Sequence, residues 1–600
     1  MPLRSKGQAL GLALLLTVTA VGLSAWTTTP SSSRTTEPAT SPAPVPEYAE
    51  NGMVVAAKRR ASTAGVQMLE KGGNAVDAAV ATGFALAVVH PFAGNIGGGG
   101  FMVLRMPDGS VTTIDFREDA PSGATQDVYL DDEGTAVGSR SRRGYLASGV
   151  PGTVAGLLKA LNEHGTLSRE TVMAPAIRLA REGFPLPHAG ESSAAQLNDY
   201  YDEFSDFPVA KKYFTKGDST EKYRAGELFV QKDLAQTLER IQENGRDGFY
   251  EGKTARLIAR QFQENGGLIE EQDLAEYEAK ERDPVSTTYR GYHVHSMGPP
   301  SSGGVAIAQL LNAAEMKPIG DMGYNASATV HYIGEAMRRV FADRAKWLGD
   351  PDHVNVPTEG LIQKDYMQRR MSTFDTLRIT PSDSVKAGQP VMASESRETA
   401  HYSVADSSGM AVSVTTTLNS GYGSKVVIDG AGFFMNNEMN DFVLRPGVPN
   451  QFGLSGTKRN LVAPDRRMVS SMAPTIVEGP QGRLFMVVGT PGGPTIITTI
   501  FQVIMNVIDH GMDIEEAVTA RLIHHQWKPR FLGYEEFALS KDAIRNLRDR
   551  GWTVKEGFLV YDEIWGRTQA LRVKYPSTRA QEEVFYGGAD PRRGVAAVGF

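Results

Sequence analysis

Residues 394–419 read SESRETAHYSVADSSGMAVSVTTTLN, and this stretch constrains fold and chemistry more than any other in the chain. Residues 399–405 and 410–418 are rich in β-branched and small side chains, with the turn former DSSG between them. The pattern predicts a β-hairpin. It also reads as a place where a proenzyme cuts itself. A cut before Thr399 puts a free α-amine on the residue whose hydroxyl attacks. That amine titrates near neutrality, at about 7.7–8.0 in the reference state. It can serve as the base that a Thr hydroxyl lacks within its own residue. Thr417 returns on the paired strand, where a second hydroxyl can hydrogen-bond the first. Taken alone, the same residues also fit a Thr-rich surface hairpin.

With 600 residues the chain exceeds the usual size of one core, so several domains or one large composite fold are expected. Hydrophobic residues make up 41% and charged residues 22%, as in soluble globular proteins. The formal charge of −7 is small for this length, and no basic run carries interleaved aromatics, which argues against a nucleic-acid partner. There is no cysteine. Disulfides, thiolate metal sites, a Cys nucleophile and a lipoprotein anchor are thereby excluded, and an oxidising compartment is suited.

The first residues point to export. Arg4 and Lys6 form a basic segment, residues 9–21 an apolar one, and Gly22, Ser24 and Ala25 a small-residue cleavage site. The expectation is a signal peptide over 1–25; the apolar stretch is short for an uncleaved anchor of about 20 residues. Residues 26–46 form a Ser/Thr/Pro-rich linker with nothing to bury. Folded structure is expected from Glu47.

Residues 61–71 favour helix, with Gly72-Gly73 as its stop, and Asn74 can cap a second helix of small residues. Gly97 to Gly100 then lead into a strand, a PDGS turn and a second strand ending at Arg117. No P-loop Lys-Ser/Thr follows the glycines, so close backbone approach is their better reading. Residues 303–316 and 329–345 predict helices. Strands are predicted in FFMNNEMNDFVL (433–444) and in 468–489, followed by a long apolar helix that Gly511 ends.

Gly492-Gly493 before Pro494 is chemically pointed. Pro suits a first helical turn, and the glycines before it can present backbone N–H groups as an oxyanion site. The plainer alternative is a strand-to-helix turn. Arg117 at a strand end can grip a carboxylate through two parallel hydrogen bonds. His524-His525 has no ligand partners at characteristic spacing, so a packed or surface pair is expected and no metal site.

In order along the chain come GGNAVDAAVA (72–81), GNIGGGGFMV (94–103), DFRE (115–118), PPSSGG (299–304), ADR with LGDPD (342–352) and the Thr399 hairpin. NNEMNDF (436–442), PGVPN (446–450), SSMAPTI (470–476), GTPGG (489–493) and HHQW (524–527) follow. Each is weak singly; together they make residues 48–600 resemble the γ-glutamyltransferase (γ-glutamyl transpeptidase) family of N-terminal-nucleophile hydrolases. The resemblance implies an α+β fold, a four-layer αββα sandwich built jointly by two self-processed pieces. These are a large one over 47–398 and a small, catalytic one over 399–600, a heterodimer cut from one chain at Glu398-Thr399. It implies Thr399 as nucleophile, Thr417 as its hydroxyl partner, and Gly492 and Gly493 as the oxyanion hole. Arg117, Ser470 and Ser471 match the binders of the donor α-carboxylate; Asn419, Glu438 and Asp441 match the group around its amine. Such a zwitterion needs a cationic and an anionic grip on opposite sides of its α-carbon.

The implied reaction transfers a γ-glutamyl group, from glutathione or a similar amide, to water or to an amino acid or peptide, without a cofactor. The protein is expected to be periplasmic or secreted, and membrane-tethered only if the N-terminal apolar segment stays uncleaved. Three departures stand out. Ala400 replaces a second Thr, Asn440 an Asp, and Pro494-Thr495 a Ser-Arg pair; the last is expected to leave the glycine amides untouched. Residues 446–465 resemble a lid loop, with Phe452 in place of a Tyr. A sibling amidase acting on a glutaryl β-lactam or poly-γ-glutamate is the nearest alternative; an inactive exported binding protein is the other.

Overall fold

The computed structural model describes residues 47–217, 220–390, 401–557, 565–575 and 583–600. Glu398, Thr399 and Ala400, like the signal and linker of 1–46, lie outside the described residues. Two seven-stranded antiparallel sheets organise the rest. One runs, in spatial order, Ala596–Gly599, Gly52–Ala56, Tyr402–Asp406, Ala411–Thr417, Gly99–Arg105, Val111–Phe116 and Lys280–Arg282. The other runs Glu47–Ala49, Val584–Ala589, Gln569–Lys574, Leu484–Gly489, Thr475–Glu478, Tyr292–Ser296 and Val285–Tyr289.

Strand alternation sets the layers. Val54, Met102, Leu104, Val404, Val412 and Val414 face an outer core shared with helix Ala75–Val89. Their sequence neighbours Met53, Val55, Phe101, Val103, Ala405 and Ala411 face the second sheet, packing with Met486, Val488 and Leu571. Helices Gly303–Glu315, Ser327–Trp347 and Thr495–Ile508 cover the second sheet's outer side. Successive side chains of a strand point to opposite faces, so near-continuous apolar strands are what a sheet buried on both sides requires. The result is helix, sheet, sheet, helix, as expected. Residues before and after 399 interleave within both sheets.

Local expectations held where local chemistry governs. Asn74 Oδ1 accepts from the Val76 and Asp77 N–H groups while Asp77 returns to Asn74 N at 2.8 Å, a reciprocal cap. All fifteen residues of that helix are buried. The glycine run is there for approach: a Cβ at Gly98 would lie 1.9 Å from the Thr417 carbonyl oxygen, and one at Gly100 2.2 Å from that of Thr415. One expectation failed. FFMNNEMNDFVL forms no strand but a loop with a short 3₁₀ turn, Glu438–Asp441. Its asparagines are spent on distant backbone: Asn436 Nδ2 donates to the Gly97 and Gly149 carbonyls, at 3.0 and 2.8 Å.

Candidate active site

The predicted hairpin is present. Tyr402–Asp406 pairs with Ala411–Thr417, and Gly409, at φ 80°, closes the turn. Tyr402, three residues on from position 399, pairs with Val414, three residues before Thr417. Thr417 ends its strand buried, its Oγ1 accepting from the Asn419 N–H at 2.6 Å. Asn419 follows in a left-handed conformation, φ 72°, and its Nδ2 donates to the Asn437 carbonyl at 3.0 Å. That anchors the strand end to the loop carrying Glu438 and Asp441.

Strand Leu484–Gly489 leads through Pro491 into Gly492 (φ 140°) and Gly493 (φ 56°), and helix Thr495–Ile508 starts after Pro494. Only glycine adopts both angles without strain. Thr495 Oγ1 donates to the Gly492 carbonyl at 2.8 Å, bracing the turn. Among the described residues neither glycine N–H donates to an acceptor, so both remain at a helix N-terminus to meet developing negative charge. The Thr495 substitution therefore touches the turn through its carbonyl and leaves the amides alone.

The ionic centre is more crowded than the sequence reading implies. Arg117 is fully buried, its guanidinium 2.8 Å from Glu438, 2.9 Å from Asp441 and 3.5 Å from Glu118. Glu438 and Asp441 line the cavity described below; Arg117 lies behind them and does not. Burial holds all three carboxyls above their ordinary range, Glu438 up to about 8, with Arg117 pulling the other way. Neighbouring carboxyls add to the upward push on Glu118 and Glu438.

Ser470 and Ser471 precede strand Thr475–Glu478 and are clamped by the PPSSGG loop. Ser302 Oγ donates to the Ser470 carbonyl at 2.6 Å, and Ser301 Oγ to that of Met472 at 2.6 Å. Arg344, on helix Ser327–Trp347, donates to Ser302 Oγ at 2.7 Å and Ser471 Oγ at 3.2 Å. Residues of the 446–465 loop are tied in as well. Asn450 Nδ2 donates to Asp441 at 3.2 Å, Gln526 to the Phe452 carbonyl at 3.1 Å, and Phe452 flanks Gly493. Asn440 acts as a neutral strut, donating to Ser141 Oγ at 2.8 Å and accepting from Gln451 N.

One cavity of about 630 Å³ joins these parts. Thr417, Asn419, Glu438, Asp441, Ser470, Ser471, Gly492 and Gly493 all line it, with Arg344 and Phe452. Thr399 and Glu398 fall outside the described residues. Sequence reasoning gave no role to Arg344, although it lies in the ADR motif, and none to Lys425 or Arg567, also on the lining. An isolated arginine in WGRTQ carries no local signal. His524 and His525 are a packed pair: His524 meets Thr498 Oγ1 at 2.7 Å, and His525 lies edge-on to Trp552.

Comparison with known proteins gives the family. The family model described as Gamma-glutamyltranspeptidase matches residues 61–600. Glutathione hydrolase proenzyme of Escherichia coli (strain K12) is 43% identical over 548 residues, 91% of each chain. Among solved structures, Helicobacter pylori gamma-glutamyltranspeptidase is 46% identical with a TM-score of 0.54, over 56% of this chain and 94% of that one. The cephalosporin acylase from Bacillus halodurans is 26% identical with a TM-score of 0.80, over 94% of this chain and 99% of that one.

Proposed function

The chain belongs to the gamma-glutamyltranspeptidase family, and on that premise we propose that it is an exported, self-processed enzyme cleaving γ-glutamyl amides such as glutathione. In this reading residues 1–25 are removed on export and 26–46 form a linker. The Glu398-Thr399 bond is then cut by the Thr399 hydroxyl, leaving a large piece (47–398) and a small one (399–600). Both contribute strands to both sheets, so the pieces stay together as a heterodimer.

Thr399 Oγ attacks the γ-carbonyl carbon while its own amine takes the hydroxyl proton. The carbonyl oxygen becomes an oxyanion held by the Gly492 and Gly493 N–H groups. Collapse breaks the C–N bond, the amine's proton passes to the departing nitrogen, and a γ-glutamyl ester remains on Thr399. Water or an incoming amine then attacks that ester by the reverse sequence. Thr417 orients the nucleophile's hydroxyl. No step requires a cofactor.

The donor's charged end is supported by one observation above the rest: an acid pair on the cavity wall, joined to the Arg117 guanidinium buried directly behind it. A zwitterion can insert into that ion pair without changing the net charge. Its carboxylate replaces an acid on Arg117 and is met by Ser470 and Ser471; its ammonium takes the released acid, Asp441 or Glu438, beside Asn419. Two carboxyls built to hold an ammonium favour a γ-glutamyl donor over the glutaryl donor of an acylase.

The direct test combines maturation with turnover. N-terminal sequencing of the purified small piece should begin at Thr399, and that enzyme should release p-nitroaniline from γ-glutamyl-p-nitroanilide. Any other N-terminus removes both the cleavage site and the nucleophile.

A further inference from the structure

A second ionic cluster borders the same cavity. Arg567 lines it one residue after Gly566, whose backbone lies against the oxyanion turn: a Cβ at Gly492 would be 3.6 Å from the Gly566 N and Cα. The Arg567 guanidinium pairs with Glu191, a side chain only 4% exposed. Lys58 Nζ donates to the Glu191 backbone carbonyl at 2.5 Å. His90 Nε2 stands 3.5 Å from the Glu191 carboxylate, and Ser192 Oγ 3.3 Å from its Nδ1. Burial, then Lys58 and Arg567, hold the His90 pKa well below its ordinary value, so the imidazole is neutral.

The charge count here is opposite to that around Arg117. Among the described residues Arg567 meets the Glu191 carboxylate, while Lys58 is held on the backbone carbonyl of the same residue. Farther along the lining Lys425 is matched by Glu203 at 3.6 Å, and Arg142 and Asp199 add one charge of each sign. Among the described residues the positive excess therefore sits at Arg567, beside the glycines that hold the reacting carbonyl. A leaving or attacking amine occupies the side of that carbonyl away from the donor's α-carbon. If it belongs to a dipeptide, its terminal carboxylate lies about 7 Å further out, two extended residues away.

We propose that Arg567, backed by Lys58, binds the free carboxylate of the peptide that leaves and of the amino acid or peptide that accepts. The enzyme then selects acceptors by that carboxylate as well as by their amine. This rests on the γ-glutamyl transfer proposed above and adds to it a specificity determinant. A guanidinium suits the role, since its planar fork stays charged at every working pH and can take a second carboxylate beside Glu191.

The test is a ratio. With γ-glutamyl-p-nitroanilide as donor, kcat/KM is measured for glycylglycine and for glycylglycine amide as acceptors. Both draw on the same acyl-enzyme, so changes in acylation cancel. Wild type should prefer the free carboxylate by about tenfold, the equivalent of ~1.4 kcal/mol. Arg567→Gln should bring the ratio close to one, chiefly through KM for glycylglycine, and Arg567→Lys should restore part of it. Lys58→Met, an independent variant, should lower it less. A wild-type ratio near one overturns the proposal even if no variant folds; so does an Arg567→Gln enzyme that keeps the preference. Failure of the underlying reading looks different: wild type would release no p-nitroaniline without any acceptor.

Discussion

The two charged ends of one cavity make an instructive pair. Among the described residues, three carboxyls face one guanidinium around Arg117, whereas at Glu191 one carboxylate meets Arg567 and its backbone carbonyl takes a second cation, Lys58. Burial acts on both, with unequal results. A desolvated carboxyl escapes by keeping its proton, and Glu438 does so up to about 8. A desolvated guanidinium has no such escape, since it stays protonated in proteins. The acidic end thus holds negative charge in reserve, released when a cation arrives, whereas Arg567 at the basic end carries a standing charge. Burial, with Arg567 beside it, lowers the Lys58 pKa to about 8. Recognition of an ammonium should be coupled to protons, and recognition of a carboxylate at Arg567 should not.

The strongest way to break the comparison is to remove the chemistry between the ends. Thr399→Ala should remain a single folded chain with activity down by at least about 10³-fold, the scale on which loss of a nucleophile acts. Denaturing electrophoresis and p-nitroaniline release check this; a normally split variant would place the self-cleaving nucleophile elsewhere.

Next comes the donor's ammonium. A glutaryl amide is the γ-glutamyl group without it, and it leaves the acid that its carboxylate displaces from Arg117 without a cationic partner. Losing one side of a buried charged pair costs about 2–5 kcal/mol, or about 30-fold to several thousand-fold at ~1.4 kcal/mol per decade. Wild type should prefer γ-glutamyl-p-nitroanilide over its glutaryl analogue by that range in kcat/KM. Asp441→Asn should erode the preference more than it slows the glutaryl reaction. Equal use of both donors by wild type would favour the acylase reading.

Arg117→Lys sharpens the same end. It keeps the charge but cannot span Glu438 and Asp441 with one planar fork. Donor kcat/KM should fall by about 100-fold while the chain still splits. Unchanged kinetics would reduce Arg117 to a structural counter-ion.

The smallest effect reads the protons held in reserve. Unfolded Glu loses its proton near 4.3, whereas folded Glu438 holds its own up to about 8. A raised folded pKa gives stability that is complete below the unfolded value and is lost as pH climbs through the folded one. Wild type should therefore lose stability between pH 6 and 8 by up to about 1 kcal/mol per unit from this group, and Glu438→Gln should flatten that slope. Scanning calorimetry at both pH values should show a gap of about 1–2 °C opening between the proteins. Parallel melting curves would show that Glu438 is ionised at neutrality.

Much of the site was legible because its parts announce themselves locally. Thr417, Asn419, Gly492, Gly493, Ser470 and Ser471 lie at strand ends or turns marked by composition, and all reach the cavity. Arg117 was legible as a functional cation, yet nothing near it told that its fork is already occupied. Phe433 to Leu444 misled for a related reason: its aromatic and apolar residues suit a strand, but its asparagines serve backbone groups far away in sequence.

By itself the sequence determined what short-range physics controls: the hairpin and its turn, the cap at Asn74, the glycines that admit a neighbouring backbone, and the helix after Pro494. Only the tertiary structure decided which charges meet. Arg117 and Asp441 are 324 positions apart, and Arg567 and Glu191 are 376. An ionic side chain carries no mark of its partner. Partnership is set by which groups the packed sheets and helices bring together out of water, where a lone charge is too costly to persist.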